Sequence, residues 1–172
     1  MFLKFIKDFS LKKIIKNSLS NYKPIASPDK VVTVGILIDE SYFTNKEELI
    51  QELVACGIDG NAIETLSFFE RIKKGQEPDY PYFTRKDISV TGTFDKQEAD
   101  LFIKKPFDML ISYYDVEKPP LVLATIKNKA KFKVGFSTTD SRLDNFMIAL
   151  QAEKYKEFVA ELFKYLKILN KI

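Results

Sequence analysis

The stretch Val31–Tyr42, which reads VVTVGILIDESY, constrains the fold more than any other part of the chain. Its first eight residues are almost all apolar, and Asp39 and Glu40 follow directly. An apolar run of this length predicts a strand that is buried on both faces, as in parallel sheets covered by helices. We therefore expect it to form the central strand of an α/β sheet. Ligands bind at the carboxyl ends of such strands, so the two acids are candidates for a site.

The order of the other patterns predicts the topology. Strand-like apolar runs lie at 63–69, 107–114, 132–136 and 146–150, and helical patterns lie at 44–56, 95–105, 119–129 and 155–169. Residues 71–94 are irregular, with a proline- and tyrosine-rich loop and a short edge segment at 87–94. The fold class we predict is α/β: a single Rossmann-like, mostly parallel sheet of about five strands flanked by helices, with a helical N-terminal leader and a long C-terminal helix.

Local signals mark where two of these helices begin. Thr44 with Glu47, and Asp95 with Glu98, match the capping-box pattern of helix N-termini. Cys56 lies near the end of the first of these helices, in the sequence LVACG. We expect it to be a small buried residue on the apolar side of that helix.

The N-terminal leader, residues 1–23, carries the basic character of the chain. Six lysines face one aspartate there, a net charge of +5, while the whole chain has +3. Its apolar residues fall into two sets on opposite sides of a helix. Because the pattern changes near Ser10, a possible N-cap, we expect two short helices or one kinked helix. The first set is Phe2, Phe5, Ile6 and Phe9, and the second is Leu11, Ile14, Ile15 and Leu19.

A linker at 24–30, with Pro24 and Pro28, separates this leader from an α/β domain at 31–172. The leader's lysines predict docking on an anionic partner, either a ribonucleoprotein such as the ribosome or a protein complex. The change of apolar face argues against a membrane-surface helix over the whole leader but leaves one open for residues 1–9. The alternative, which we favour over a membrane-surface helix, is that both segments pack on the domain or on a partner. We find no DNA-binding motif, and the oligomeric state is left open. The candidate docking residues are Lys4, Lys7, Lys12, Lys13 and Lys16.

The absence of histidine limits the chemistry. The chain has no histidine and one cysteine. It therefore lacks the commonest general base and the usual partner of a nucleophilic serine or cysteine. No glycine pattern builds a dinucleotide or P-loop phosphate site, so we predict no cofactor and no metal. A single cysteine and no secretion signal favour the cytoplasm, with a peripheral position at the inner membrane as the further option.

Polar residues follow three predicted strands at the same edge of the sheet. Carboxylates and hydroxyls beside one arginine suit a polar or anionic ligand. The same acids are typical of caps and turns after strands, and we favour that interpretation. The candidate ligand-binding residues are Asp39, Glu40 and Tyr42, then Tyr114 and Asp115, then Ser137, Thr138, Asp140 and Arg142.

Four lysines alternate at positions 127, 129, 131 and 133. They suit either a nucleic-acid stripe or an edge strand that lysines protect from pairing, and we favour the edge strand.

The segments VGILIDESYF, PFDMLISYYDVEKPPL, FKVGFSTTDSR and ELFKYLKILNKI together resemble an uncharacterised domain-of-unknown-function family of Bacteroidota proteins. This resemblance spans essentially the whole chain and implies a fold but no activity. Residues 106–136, with FDMLIS and KFKVGF, are similar to the acceptor half of heptosyltransferase-type glycosyltransferases. Those enzymes need a second, nucleotide-sugar domain, so this similarity supports the sheet topology more than the reaction.

Taken together, these features favour a non-enzymatic cytoplasmic binding module that docks through its basic leader. The alternative is a small-molecule-binding or glycosyltransferase-like domain with its site at the carboxyl edge of the sheet.

Overall fold

Strand β1 (Val34–Asp39) lies in the middle of a parallel sheet in the computed structural model, which describes residues 1–27 and 29–172. It pairs with β2 (Ile63–Phe68) on one side and β4 (Met109–Tyr113) on the other, and all six of its residues are buried. The continuous apolar run is therefore the central strand, as the sequence predicts. Its glycine, Gly35, is needed because a Cβ atom there would lie 2.6 Å from the ring of Phe107.

Among the described residues the sheet has six strands, one more than the approximate number predicted. The other strands are β3 (Tyr82–Phe83), β5 (Lys133–Phe136) and β6 (Phe146–Ile148). The helices are α1 (Phe2–Asn21), α2 (Lys46–Ala55), α3 (Gln97–Lys104), α4 (Pro119–Lys127) and α5 (Tyr155–Ile168), with 3-10 turns at Gly60–Ala62 and Arg85–Asp87. The strand order is β3-β2-β1-β4-β5-β6, and every pair is parallel. This is the order of doubly wound Rossmann folds, whose direction switches between β1 and β4.

Two hydrophobic cores cover the two faces of the sheet. Helices α2 and α5 pack on one face, against residues such as Ile36 and Ile111. Helices α1, α3 and α4 cover the other face, where Leu37 and Leu110 point. The alternation along each strand therefore divides its apolar residues between two helical layers.

Several local predictions are wrong. Helices α2 and α3 each begin one residue later than the capping-box patterns predict, at N-caps Asn45 and Lys96, and neither N-cap side chain bonds to the helix. A capping box forms instead at Thr84 and Asp87, on the 3-10 turn. Cys56 is exposed, because it follows the last residue of α2 instead of lying on its buried side.

The segment 87–94 is not an edge strand. Ile88 and Phe94 form only an isolated antiparallel bridge, closed by a turn in which Gly92 has φ +79°. The edge strand beside β2 is β3, inside the region that the proline and tyrosine pattern indicated as loop. A two-residue strand leaves almost no period-2 signal, so the sequence pattern did not show it.

The alternating lysines do not protect an edge either. Strand β5 lies between β4 and β6, and Lys133 is buried within it. Lys127 donates to the carbonyl of Gly92, and Lys131 lies 3.0 Å from Asp108. The four side chains thus have different surroundings and form no common stripe.

The leader is one uninterrupted helix, α1, not two. Ser10 lies inside it and donates to the carbonyl of Val90 instead of capping a second helix. Residues 22–27 and 29–33, between α1 and β1, have no regular secondary structure. Pro28, the second proline of the predicted linker, lies outside the described residues.

Candidate functional site

The carboxylates at the end of β1 are held in ion pairs. Asp39 is buried, accepts a hydrogen bond from the backbone of Ser41 at 3.0 Å and lies 2.6 Å from the ammonium group of Lys118. Lys118 also lies 2.9 Å from Glu70 and 4.3 Å from the ring centre of Tyr42, which is exposed. Burial opposes the charge of Lys118, but the two carboxylates more than offset it and raise its pKa.

The next residue, Glu40, also lies in an ion pair, with Lys46. Its carboxylate lies 3.3 Å from Lys46, whose ammonium group stands 3.3 Å from the ring centre of Tyr80. Burial, together with a hydrogen bond to Glu40, raises the pKa of Tyr80 to about 12. The proline- and tyrosine-rich loop therefore covers this end of β1.

The candidates after β4 serve the fold in different ways. Tyr114 is buried, and its hydroxyl is 2.7 Å from that of Thr125 in α4. Asp115 accepts a hydrogen bond from the backbone of Ala152 at 2.9 Å. Thr138, one of the candidates after β5, donates to the carbonyl of Asp115 at 2.7 Å. These contacts join the loops that follow β4, β5 and β6.

The remaining candidates after β5 form a turn. Asp140 accepts hydrogen bonds from both the backbone and the guanidinium of Arg142, each at 2.9 Å. The guanidinium is the main reason that the pKa of Asp140 is lowered. Ser137 is exposed, and its backbone bonds to the carbonyl of Ile148. Eight of the nine candidates thus lie at one edge of the sheet, and Tyr114 is buried. They form separate groups, and their hydrogen bonds and ion pairs are mainly with one another or with other residues of the domain.

One cleft opens at this edge beside Arg142. It has a volume of about 550 Å³ and lies between α1, the start of α4 and the turn after β5. Asp140 and Arg142 line one side, and Lys12 and Lys16 of α1 line the other. The structure therefore joins residues that the sequence assigned to two separate functions, ligand binding and partner docking.

A buried polar cluster anchors the end of α1 beneath that cleft. The ammonium group of Lys133 donates to the carbonyls of Thr125 and Asn128, at the end of α4, and to the hydroxyl of Tyr22 at 2.8 Å. The hydroxyl of Tyr22 in turn donates to the carbonyl of Leu143 at 3.1 Å. Burial lowers the pKa of Lys133 to about 8.

Asp144 is the acidic member of the same cluster. One carboxylate oxygen accepts a hydrogen bond from Ser112 at 2.9 Å, and the other has no hydrogen-bond partner among the described residues. Burial raises the pKa of Asp144 to about 7, although Ser112 and Lys133 oppose that shift. The carboxylate packs directly against Gly135, where a Cβ atom would collide with it.

Contacts between α1 and the domain begin at Asp8. Its carboxylate lies 2.8 Å from the guanidinium of Arg85, and Leu11 is buried in the second core. Ile14 lies against Gly92, and Leu19 packs with Val122 of α4. The second apolar set of the leader is therefore the face that α1 presents to the domain.

The first apolar set faces away from the domain. Phe2, Phe5 and Phe9 are 77%, 70% and 65% exposed, and Ile6 is exposed as well. We call these four residues the outer apolar face. The apolar pattern changes sides near Ser10 because one continuous helix meets the domain with its later residues and leaves the earlier ones uncovered.

The candidate docking lysines lie on the same helix as the outer apolar face. Lys4, Lys12, Lys13 and Lys16 are exposed, and Lys7 is half-buried. Within residues 1–27 and 29–172, none of the five lies in an ion pair with a carboxylate.

Two further features bear on the possible chemistry. Among the described residues, no three acidic or cysteine side chains are grouped so as to hold a metal ion. In the same part of the chain, no helix is both long enough and apolar enough to cross a bilayer.

A family model, described as "Family of unknown function (DUF6913)", matches residues 7–169. The chain belongs to this family. The resemblance to a domain-of-unknown-function family is thus confirmed, while the Bacteroidota origin and the glycosyltransferase similarity stay predictions. No curated protein and no solved structure matches the chain. The DUF6913 match includes most of α1 as well as the sheet, so the family model treats the helix and the domain as one unit.

The ion pairs at the end of β1 and the buried polar cluster include residues that the sequence did not indicate as functional. Lys118 and Lys46 neutralise the β1 carboxylates, and Lys133 with Asp144 forms the buried cluster. A lysine at the start of a strand carries no special signal among twenty-four lysines. The one available signal was Gly135 inside an apolar strand, which indicates a close approach of another group.

Proposed function

We propose that this protein is a peripheral interaction module that docks on an anionic membrane surface through α1. The observation that carries the proposal is the outer apolar face, three exposed phenylalanines and one isoleucine on the side of α1 opposite its packed face. Burying such a face is favourable, by roughly 1.5 to 3 kcal/mol for each large side chain. A partner must therefore offer apolar surface as well as negative charge.

The distribution of charge favours a lipid surface. Lys12, Lys13 and Lys16 follow the outer apolar face along α1, and the one acid of the leader, Asp8, is paired with Arg85. Helices that lie in a membrane interface combine phenylalanine on the inserted face with lysine at the headgroups, and each lysine near an anionic surface adds about 1 kcal/mol. RNA offers phosphate charge but no matching apolar layer.

The structure also removes the sequence argument against a membrane helix. That objection rested on two apolar faces in one helix, whereas an interfacial helix needs one. Because Leu11, Ile14 and Leu19 are taken up by the domain, only the outer apolar face remains to be covered. We place the docked protein on the cytoplasmic side, where a single exposed cysteine, Cys56, stays reduced.

Sedimentation with vesicles tests this proposal. Wild type should bind vesicles of phosphatidylcholine with roughly one third phosphatidylglycerol, bind pure phosphatidylcholine weakly, and lose binding as salt is raised. The double variant Phe5→Ser/Phe9→Ser should bind the anionic vesicles about tenfold more weakly or worse. The matched control Val54→Ser/Ile168→Ser changes two exposed apolar residues of α2 and α5 and should bind like wild type.

Purified ribosomes form the second arm of this experiment. Binding to ribosomes with equal affinity for wild type and Phe5→Ser/Phe9→Ser, without binding to vesicles, would replace the membrane with a ribonucleoprotein as the partner. Binding to neither would overturn docking through α1 on an anionic surface.

The alternative is a small-molecule-binding or glycosyltransferase-like site at the carboxyl edge of the sheet, and the part of it that rests on Asp39 and Glu40 has less support. Both carboxylates lie in ion pairs, with Lys118 and Lys46, and Tyr80 packs over the second pair. A cleft does open at this edge of the sheet, beside Arg142.

A further inference from the structure

We propose that the cleft between α1, α4 and the turn after β5 is a binding site for a small amphiphilic anion, a phosphate or carboxylate group on a short aliphatic body. The cleft lies at the carboxyl edge of the sheet, the usual place for ligands in open α/β folds. Its volume of about 550 Å³ falls within the range of small-molecule sites. This site differs from the outer apolar face, although α1 contributes to both.

The charges of the cleft favour an anion. Its two acids already accept hydrogen bonds from the protein, since Asp140 binds Arg142 and the carboxylate of Glu117 accepts from the backbone of Asp140. Lys12 and Lys16 lie in no ion pair with a carboxylate among the described residues. Arg142 uses two of its five N–H donors on Asp140, which leaves three for a ligand.

The floor of the cleft is apolar. Leu19 and Val122 are both buried and pack with Leu143, and Ile15 lies beside them. An anion without an apolar part would leave this floor in contact with water, and an apolar molecule without a charge would leave the two lysines unpaired. A ligand with an anionic head and a short aliphatic body satisfies both sides of the cleft.

Titration of the 172-residue chain with octyl phosphate, followed by its methyl NMR signals, tests this assignment. Two further probes separate the parts of the ligand: octyl glucoside keeps the chain without the charge, and inorganic phosphate keeps the charge without the chain. We expect saturable shifts of the Ile15, Leu19 and Val122 methyl signals with octyl phosphate below its micelle concentration. Affinity for either partial probe should be at least about tenfold weaker.

Charge variants on two helices provide the matched comparison, because each removes two positive charges. Lys12→Gln/Lys16→Gln should weaken octyl phosphate binding about tenfold or more, whereas Lys164→Gln/Lys167→Gln, at two exposed lysines of α5 outside the cleft, should leave it unchanged. Equal losses in both variants would overturn the assignment, because the effect would then come from overall charge. Shifts confined to Ile6, or equal shifts with octyl glucoside, would overturn it too, since they would indicate adsorption to the outer apolar face or to apolar surface in general.

Discussion

The ammonium group of Lys133 donates a 2.8 Å hydrogen bond to the hydroxyl of Tyr22, the residue that follows α1. The same ammonium group holds two carbonyls at the end of α4. One buried lysine therefore bonds the leader helix to the sheet and to α4 at the same point. Since Asp8 and Arg85 hold α1 near its other end, the helix is fixed while its first turns project beyond the domain.

Changing Tyr22 to phenylalanine should weaken this attachment. The substitution keeps the ring and removes a hydroxyl that bonds to both Lys133 and the carbonyl of Leu143. We expect the free energy of unfolding, measured in urea, to fall by about 1 to 2 kcal/mol. Tyr42→Phe, at an exposed tyrosine, should change it by less than about 0.5 kcal/mol. Equal effects of the two substitutions would show that the Tyr22 hydroxyl contributes nothing to the attachment.

The end of β1 should behave as a structural ion pair. Lys118→Met would leave Asp39 buried and without its cation, which costs roughly 3 to 5 kcal/mol. Adding Asp39→Asn should recover most of that loss, because the uncompensated charge disappears. Urea unfolding of wild type, both single variants and the double variant measures the coupling. If the two single losses simply add in the double variant, the pair is not coupled and Asp39 is free for a ligand.

Asp144 should make stability depend on pH in a defined direction. Its folded pKa of about 7 lies above the ordinary value of 3.8, so the folded state binds the proton more tightly than the unfolded state. The stabilisation is complete below about pH 4 and is lost as the pH rises toward 7. Relative to Asp144→Asn, we expect wild type to lose on the order of 4 kcal/mol across that interval.

The pH profile of wild type must be compared with that of Asp144→Asn, because other carboxyl groups change the free energy of unfolding in the opposite direction. Hydrogen bonds to Thr33, Val32 and Lys131 outweigh burial and lower the pKa of Asp108 to about 2, so its contribution is lost as the pH falls through that region. Glu77→Gln, in an exposed loop, is the control and should keep the wild-type pH profile. An Asp144→Asn profile parallel to that of wild type would contradict the raised pKa.

The sequence predicted the sheet more completely than the site, for physical reasons. The run Val34–Asp39 needs helices on both faces wherever it lies, so one strand determines much of the architecture. The position of Lys133 relative to Tyr22 depends on residues 111 positions apart in the chain. Nothing local in either segment records that contact.

For the leader, the sequence showed the pattern but not its structural cause. Its two apolar sets were visible in the sequence, and so was the change of face near Ser10. A helix wheel cannot distinguish a broken helix from a continuous one with two different neighbours. That distinction required the contacts of Leu11 with the second core and the exposure of Phe5.

Tryptophan fluorescence tests membrane docking most directly, because the chain has no tryptophan of its own. Phe5→Trp places the only reporter on the outer apolar face, and Val54→Trp places it at an exposed position of α2, across the sheet. With vesicles containing phosphatidylglycerol at low salt, the emission of Phe5→Trp should move to shorter wavelength while that of Val54→Trp stays unchanged. No shift for Phe5→Trp, or the same shift at both positions, would contradict docking through this face of α1.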